Sequence, residues 1–147
     1  MHDGFLIGLD YGTDSARGVL IDIASGKVCA THALRYRHGT LIDALPDGTP
    51  LEAGFALQHA PDYVECAEVI LSTLARDKRI EGIGIGFTAS SPLPVDEHGT
   101  PLSTRYPHQP HAYVKLWKHH ASQPWADEIN RHYSAELTKS GGKTSGE

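Results

Sequence analysis

Long hydrophobic runs are missing from this 147-residue chain. No apolar stretch approaches the ~20 residues of a membrane-crossing helix, so no membrane partner is expected. Runs of like charge are missing as well. The 13 lysines and arginines are scattered among 18 acids, and the net charge is -5. Phosphate backbones and anionic lipid surfaces are held by clustered cations, so nucleic acid is not an expected partner either. Cysteine is scarce. Cys29 and Cys66 lack C-x-x-C spacing and are expected to be buried free thiols in a reducing compartment. The opening Met1-His2-Asp3-Gly4 has neither the basic residues nor the apolar run of a secretion signal, and the expected location is cytoplasmic. No internal repeat is visible.

What is present suits one globular domain. The length is enough to bury a core, with 39% hydrophobic residues and a mean hydropathy of -0.32. Phe5 to Asp10, Ala16 to Ile23 and Val28 to Tyr36 read as three strands joined by tight turns, an antiparallel meander. Residues 37–60 carry Pro46, Gly48, Pro50 and Gly54 and read as a long loop, with a short hairpin at Asp47-Gly48. A helix follows. Pro61 suits its entrance, Asp62 with Glu65 has capping-box spacing, and Tyr63, Ala67, Ile70, Leu71 and Leu74 recur on one face. Ile80 to Gly86 is a further strand, and Thr88 to Ser91 a polar loop. Helices are expected over Ala112 to Ser122, with Val114, Trp117 and Ala121 inward, and over Pro124 to Leu137, with Trp125, Ile129, Tyr133 and Leu137 on one face. The polar residues 139–147 are expected to be disordered.

The segment Ile7-Gly8-Leu9-Asp10-Tyr11-Gly12-Thr13-Asp14-Ser15-Ala16-Arg17 carries chemistry. An apolar strand ends at an acid, a hydroxyl-rich glycine turn follows, and an arginine stands at the start of the next strand. Gly12 lets backbone N–H groups converge on an anion. Thr13 and Ser15 add hydroxyl donors, Arg17 can fork onto phosphate oxygens, and Asp10 can hold magnesium through its water shell. A plain β-hairpin with an exposed polar turn fits the periodicity equally well.

The pattern Asp-x-Gly-Thr-x-Ser-x-Arg between two apolar strands resembles the first phosphate motif of the FGGY family of carbohydrate kinases. Gly82-Ile83-Gly84-Ile85-Gly86-Phe87-Thr88-Ala89-Ser90-Ser91-Pro92-Leu93-Pro94-Val95-Asp96 is similar to the sugar-site strand and loop of the family's ribulokinase branch. Pro110 to Ala121 is close to that branch's signature helix, and Gly141-Gly142 with Ser145 and Glu147 is similar to the Gly-Gly-x-x-Ser-x-Glu that follows it.

The resemblance implies an α/β, ribonuclease-H-like fold of the actin and hexokinase type. Residues 1–138 would be part of the N-terminal domain of a sugar kinase. It implies ATP and Mg2+ as cofactors and a ketopentose, L-ribulose of arabinose catabolism, as substrate. Asp10, Gly12, Thr13, Ser15 and Arg17 would face the ATP phosphates, with Asp10 reaching Mg2+ through water. Thr88, Ala89 and Ser90 would touch the sugar, and Lys115 to His120 would support that wall. The general-base aspartate of the family falls beyond residue 147, so no catalytic residue is expected here and the chain alone should be inactive. Gly86 departs from the pattern, because ribulokinases commonly carry an acid there. Two further readings stay open: a non-catalytic sugar- or nucleotide-binding module of the actin-like superfamily, and a truncated, decayed gene product.

Other signals are weaker. Gly142-Lys143-Thr144 has Leu137 where a P-loop needs its first glycine. Gly82, Gly84 and Gly86 lie within a strand and fit close helix packing better than a dinucleotide fingerprint. His108, His111, His119 and His120 have no zinc spacing and read as structural or solvated. Ser90 and Ser91 have no paired base in view.

Overall fold

The computed structural model describes residues 4–133 and 135–146. Met1-His2-Asp3, position 134 of the second expected helix and Glu147 of the last motif lie outside the described residues. The chain divides into two compact units. One runs up to Gly39 and resumes over His59–Ala89; the other comprises Thr40–Gln58 and the chain from Ser90 onward.

The first unit is a four-stranded sheet under a helix. Strands β1 (Phe5–Tyr11), β2 (Ser15–Asp22) and β3 (Val28–Arg35) form the expected antiparallel meander. Helix α1 (Ala60–Leu74) then leads to β5 (Ile80–Phe87), which pairs parallel to β1, giving the order β3-β2-β1-β5. The short strand β4 (Leu57–Gln58) belongs to the second unit. Alternation directs Ile7, Leu9 and Tyr11 of β1 and Ala16 and Leu20 of β2 to the α1 face, where Cys66, Ile70 and Leu74 meet them. Gly18 permits this approach: a Cβ there would lie 2.4 Å from Ile70 Cγ2 and 2.7 Å from Leu74 Cδ1. Close helix packing, expected at the β5 glycines, is therefore met at Gly18, whereas a Cβ at Gly84 would have nothing within 4 Å among the described residues. Cys66 is buried, but Cys29 is exposed on the edge strand β3, contrary to expectation. The Asp62–Glu65 capping box is not formed either. His59 occupies the N-cap position of α1 with no side-chain capping hydrogen bond, and the Asp62 carboxylate turns to His38 and His59.

In the second unit, the segment read as a long loop supplies core. Leu41, Leu45 and Leu57 pack with Ala112 and Tyr113, Leu41 bridges Leu57, and Ala44 bridges Pro50 around the expected Asp47-Gly48 turn. The helix expected over Ala112 to Ser122 is replaced by a 3-10 turn (Pro110–Ala112) and strand β6 (Val114–Lys115) paired with β4. Tyr113, Val114 and Leu116 are all buried, and Trp117, expected in the core, is 46% exposed. A four-residue helix α2 (Leu102–Arg105) precedes this segment. Helix α3 (Gln123–His132) is shorter than expected, and Ala126 is its buried residue, while Trp125, Ile129 and Tyr133 are exposed. After a 3-10 turn (Glu136–Ser140), the tail expected to be disordered bonds back to this helix. Asn130 exchanges two hydrogen bonds with Thr144, and Gln123 Oε1 accepts the Gly146 N–H.

Candidate functional site

Strands β1 and β5 run parallel and side by side, with Tyr11 opposite Phe87 at their carboxyl ends. In open α/β sheets ligands bind beyond such ends, and here the expected phosphate residues leave the sheet together with Thr88 and Ala89. Asp10, the penultimate residue of β1, is the cross-strand partner of Arg17 on β2. Their side chains meet at 2.9 Å, both more than half exposed. An ion pair this open is worth little for stability, so both groups remain available to other charges.

Residues 12–14 connect the two strands. The Gly12 N–H donates to the Ser15 carbonyl at 2.9 Å and closes the turn. Tyr36 supports it from below, donating its hydroxyl to the Gly12 carbonyl at 2.9 Å and its N–H to the Asp14 carbonyl at 3.1 Å. Burial, with Tyr63 and Cys66 nearby, pushes the Tyr36 hydroxyl pKa up, which keeps it a donor. Burial likewise pushes Tyr63 up to about 12. Thr13 and Ser15 are half-buried.

Thr88 is tied to the same strand end. Its N–H and its hydroxyl both donate to the Tyr11 carbonyl, each at 2.9 Å. Asp10, Gly12, Thr13, Ser15, Arg17 and Thr88, with exposed Ala89, thus leave one end of one sheet. Gly86 lies opposite Asp10, and a Cβ there would stand 3.7 Å from Asp10 Oδ1. The space is open and needs no strained backbone. An acid at position 86 would set a second carboxylate beside Asp10.

Ser90 belongs to the second unit and is one of two non-glycine residues with positive φ (53°) among the described residues. It lines a cavity of about 460 Å3 with Glu52, Phe55, His111, Lys115 and His119. Burial lowers the Lys115 pKa. The pKa of His119 is lowered by burial and by Lys115, His111 and His120, and its Nδ1 accepts the Ala56 N–H at 3.2 Å. The cavity's members are spread over some 70 positions, and no spacing rule could have gathered them.

The chain is 43% identical over 155 residues to the ribulokinase of Shouchella clausii, covering 97% of this chain and 28% of that protein. Over nearly its whole length the chain is related to one part of the ribulokinases. A second ribulokinase, from Bacillus licheniformis, is 46% identical over 125 residues, covering 80% of this chain and 23% of that protein. This ribulokinase relative thus spans about a quarter of the length of the curated proteins it matches. No family model matches. Among solved structures, a gluconate kinase and a xylulose kinase, both from Lactobacillus acidophilus, each superpose with a TM-score of 0.70 at 19% identity, covering 92% of this chain and 24% of theirs. That likeness bears on fold alone, and it agrees with the expected α/β, actin-type ATPase architecture.

Proposed function

We propose that this chain is the nucleotide-phosphate and sugar-wall portion of an ATP-dependent ketopentose kinase that converts L-ribulose to L-ribulose 5-phosphate. The observation that carries the reading is the convergence at one sheet end of the Asp10–Arg17 pair, the Gly12 turn and the Thr88 anchor. Phosphoryl transfer requires positioning and neutralisation of phosphate charge. In this reading Arg17 swings from Asp10 onto phosphate oxygens, Thr13 and Ser15 turn their hydroxyls to the phosphates, and Gly12 shapes the tight turn that presents them. Asp10, released from Arg17, faces Mg2+ through water. An exposed carboxylate beside a phosphate loop fits a hard cation that keeps its hydration shell. Thr88, Ala89 and Ser90 take the sugar side.

The test is a chimera in which this chain replaces the matching quarter of the Shouchella clausii ribulokinase. L-ribulose-dependent ADP release by the chimera is expected. Arg17→Ala should lower kcat by roughly 100-fold or more, the cost of losing one preorganised charge-stabilising group. A folded chimera that turns over equally well with Arg17→Ala would remove the phosphate assignment. This chain by itself is expected to release no ADP with L-ribulose.

A further inference from the structure

The first unit is interrupted once: the chain leaves it after Gly39 and returns at His59. Three donor residues stand at this crossing and play no part in the kinase reading. His38 lies on the outgoing side. On the returning side His59 occupies the N-cap position of α1, and Asp62 sits in the first turn of that helix. Nδ1 of His38 is 2.8 Å from Asp62 Oδ1, and Nδ1 of His59 is 3.2 Å from the same oxygen. One donor atom from each of the three lies within 4.8 Å of the others. The two rings meet edge to face with centroids 4.6 Å apart.

We propose that His38, His59 and Asp62 form a site for one divalent transition-metal ion of the zinc type, which clamps the exit from β3 to the start of α1. Two imidazole nitrogens and one carboxylate suit zinc, whereas magnesium and calcium select all-oxygen sites. Zinc–nitrogen and zinc–oxygen bonds of about 2.0–2.2 Å in a tetrahedral shell set neighbouring donors roughly 3.3 Å apart. The two imidazole–carboxylate separations, 2.8 and 3.2 Å, need to change by only a few tenths of an ångström, and the two imidazole donors, within 4.8 Å of each other, close by rotation of the partly exposed rings. The carboxylate is already oriented, because Asp62 Oδ2 accepts the His38 backbone N–H at 2.9 Å. Such outer hydrogen bonds fix metal-ligating carboxylates. The Asp62 side chain is 4% exposed and those of His38 and His59 are 29% and 20% exposed, so the acid is sheltered while water can reach the imidazole side as fourth ligand. The bound ion would cross-link residue 38 to residue 59 and remove the closure entropy of the excursion between them.

The test uses the tag-free chain, stripped with chelator and titrated with Zn2+ by calorimetry and with Co2+ by visible absorption. One equivalent of Zn2+ per chain is expected, with a rise in Tm that chelator reverses and a Co2+ band of four-coordinate intensity. His38→Gln and His59→Gln should each weaken binding by more than the roughly 100-fold that losing an outer-shell partner can cost. The control His120→Gln should leave binding unchanged. Absence of stoichiometric binding would mean that the trio is held by hydrogen bonds alone and would overturn the proposal. Binding that survives in the double variant would overturn it equally, by assigning the ion to other histidines. If a variant fails to fold, the unmodified chain decides: less than one ion per chain, or a weak six-coordinate Co2+ band, rejects the site.

Discussion

Glycine does two different jobs in the first unit, and a single methyl group separates them. At Gly18 an added Cβ would fall 2.4 Å from Ile70 Cγ2 and 2.7 Å from Leu74 Cδ1, on the best-packed face of the sheet. Those side chains belong to the buried core and have no room to retreat. Overpacking of this kind costs about 1–3 kcal/mol. At Gly84 the same methyl meets nothing within 4 Å among the described residues, and replacing a strand glycine lowers the backbone entropy lost on folding. Gly18→Ala should therefore shift the urea midpoint of unfolding clearly downward, and Gly84→Ala should leave it level or slightly higher. Equal losses from both would show that α1 does not approach β2 as closely as the geometry requires. Gly86 is of the second kind: it leaves the Asp10–Arg17 pair without a competing carboxylate, which no hydrophobic pattern could have disclosed.

The meander, α1 and β5 were legible in the sequence because each obeys its own local period. The turn at Gly12 and the polar loop at Thr88 were legible as connections from residue type, and their place at one sheet end follows from the pairing of β1 with β2 and β5. The segment from Ala112 to Ser122 was not. Its apolar residues also satisfy helical spacing, and what decides its form is pairing of Val114 with Gln58, more than 50 positions earlier. The loop containing Leu41 and Leu45 misled for the same reason, since its apolar residues find their partners only in the remote segment around Tyr113. His119 ties these two segments with a bond that depends on its protonation state. Its Nδ1 accepts the Ala56 N–H, so the buried ring is neutral, and burial first, then Lys115, His111 and His120, depress its pKa. Unfolded, it titrates near pH 6.5. Between that value and the lower folded value the unfolded state binds more protons, so stability falls as pH falls through this window. Unfolding free energy measured from pH 7 to pH 5 should decline, and His119→Asn, which keeps an acceptor but does not titrate there, should flatten the decline. An unchanged slope in the variant would mean that another group carries the acid sensitivity.

At the scale of the whole molecule, one face of the sheet is only partly covered. Helix α1 packs over β1, β2 and β3. Beyond it, β5 continues the same face with Ile83, Ile85 and Phe87, which share register with buried Ile7, Leu9 and Tyr11 but are 51%, 60% and 63% exposed. β5 also ends the sheet, and an apolar terminal strand is a template for association. This exposure agrees with a chain that spans about a quarter of the ribulokinases it matches. The chain on its own should therefore bind a hydrophobic dye and self-associate as its concentration rises. Ile85→Lys places a charge in the middle of the exposed row, where no neighbouring helix has to be displaced. Dye fluorescence and sedimentation should both fall toward monomer values in that variant, while its far-ultraviolet circular dichroism stays the same. If dye binding and association persist unchanged with the fold intact, the β5 face is not the surface responsible, and the exposed Trp125, Ile129 and Tyr133 of the second unit become the next surface to substitute.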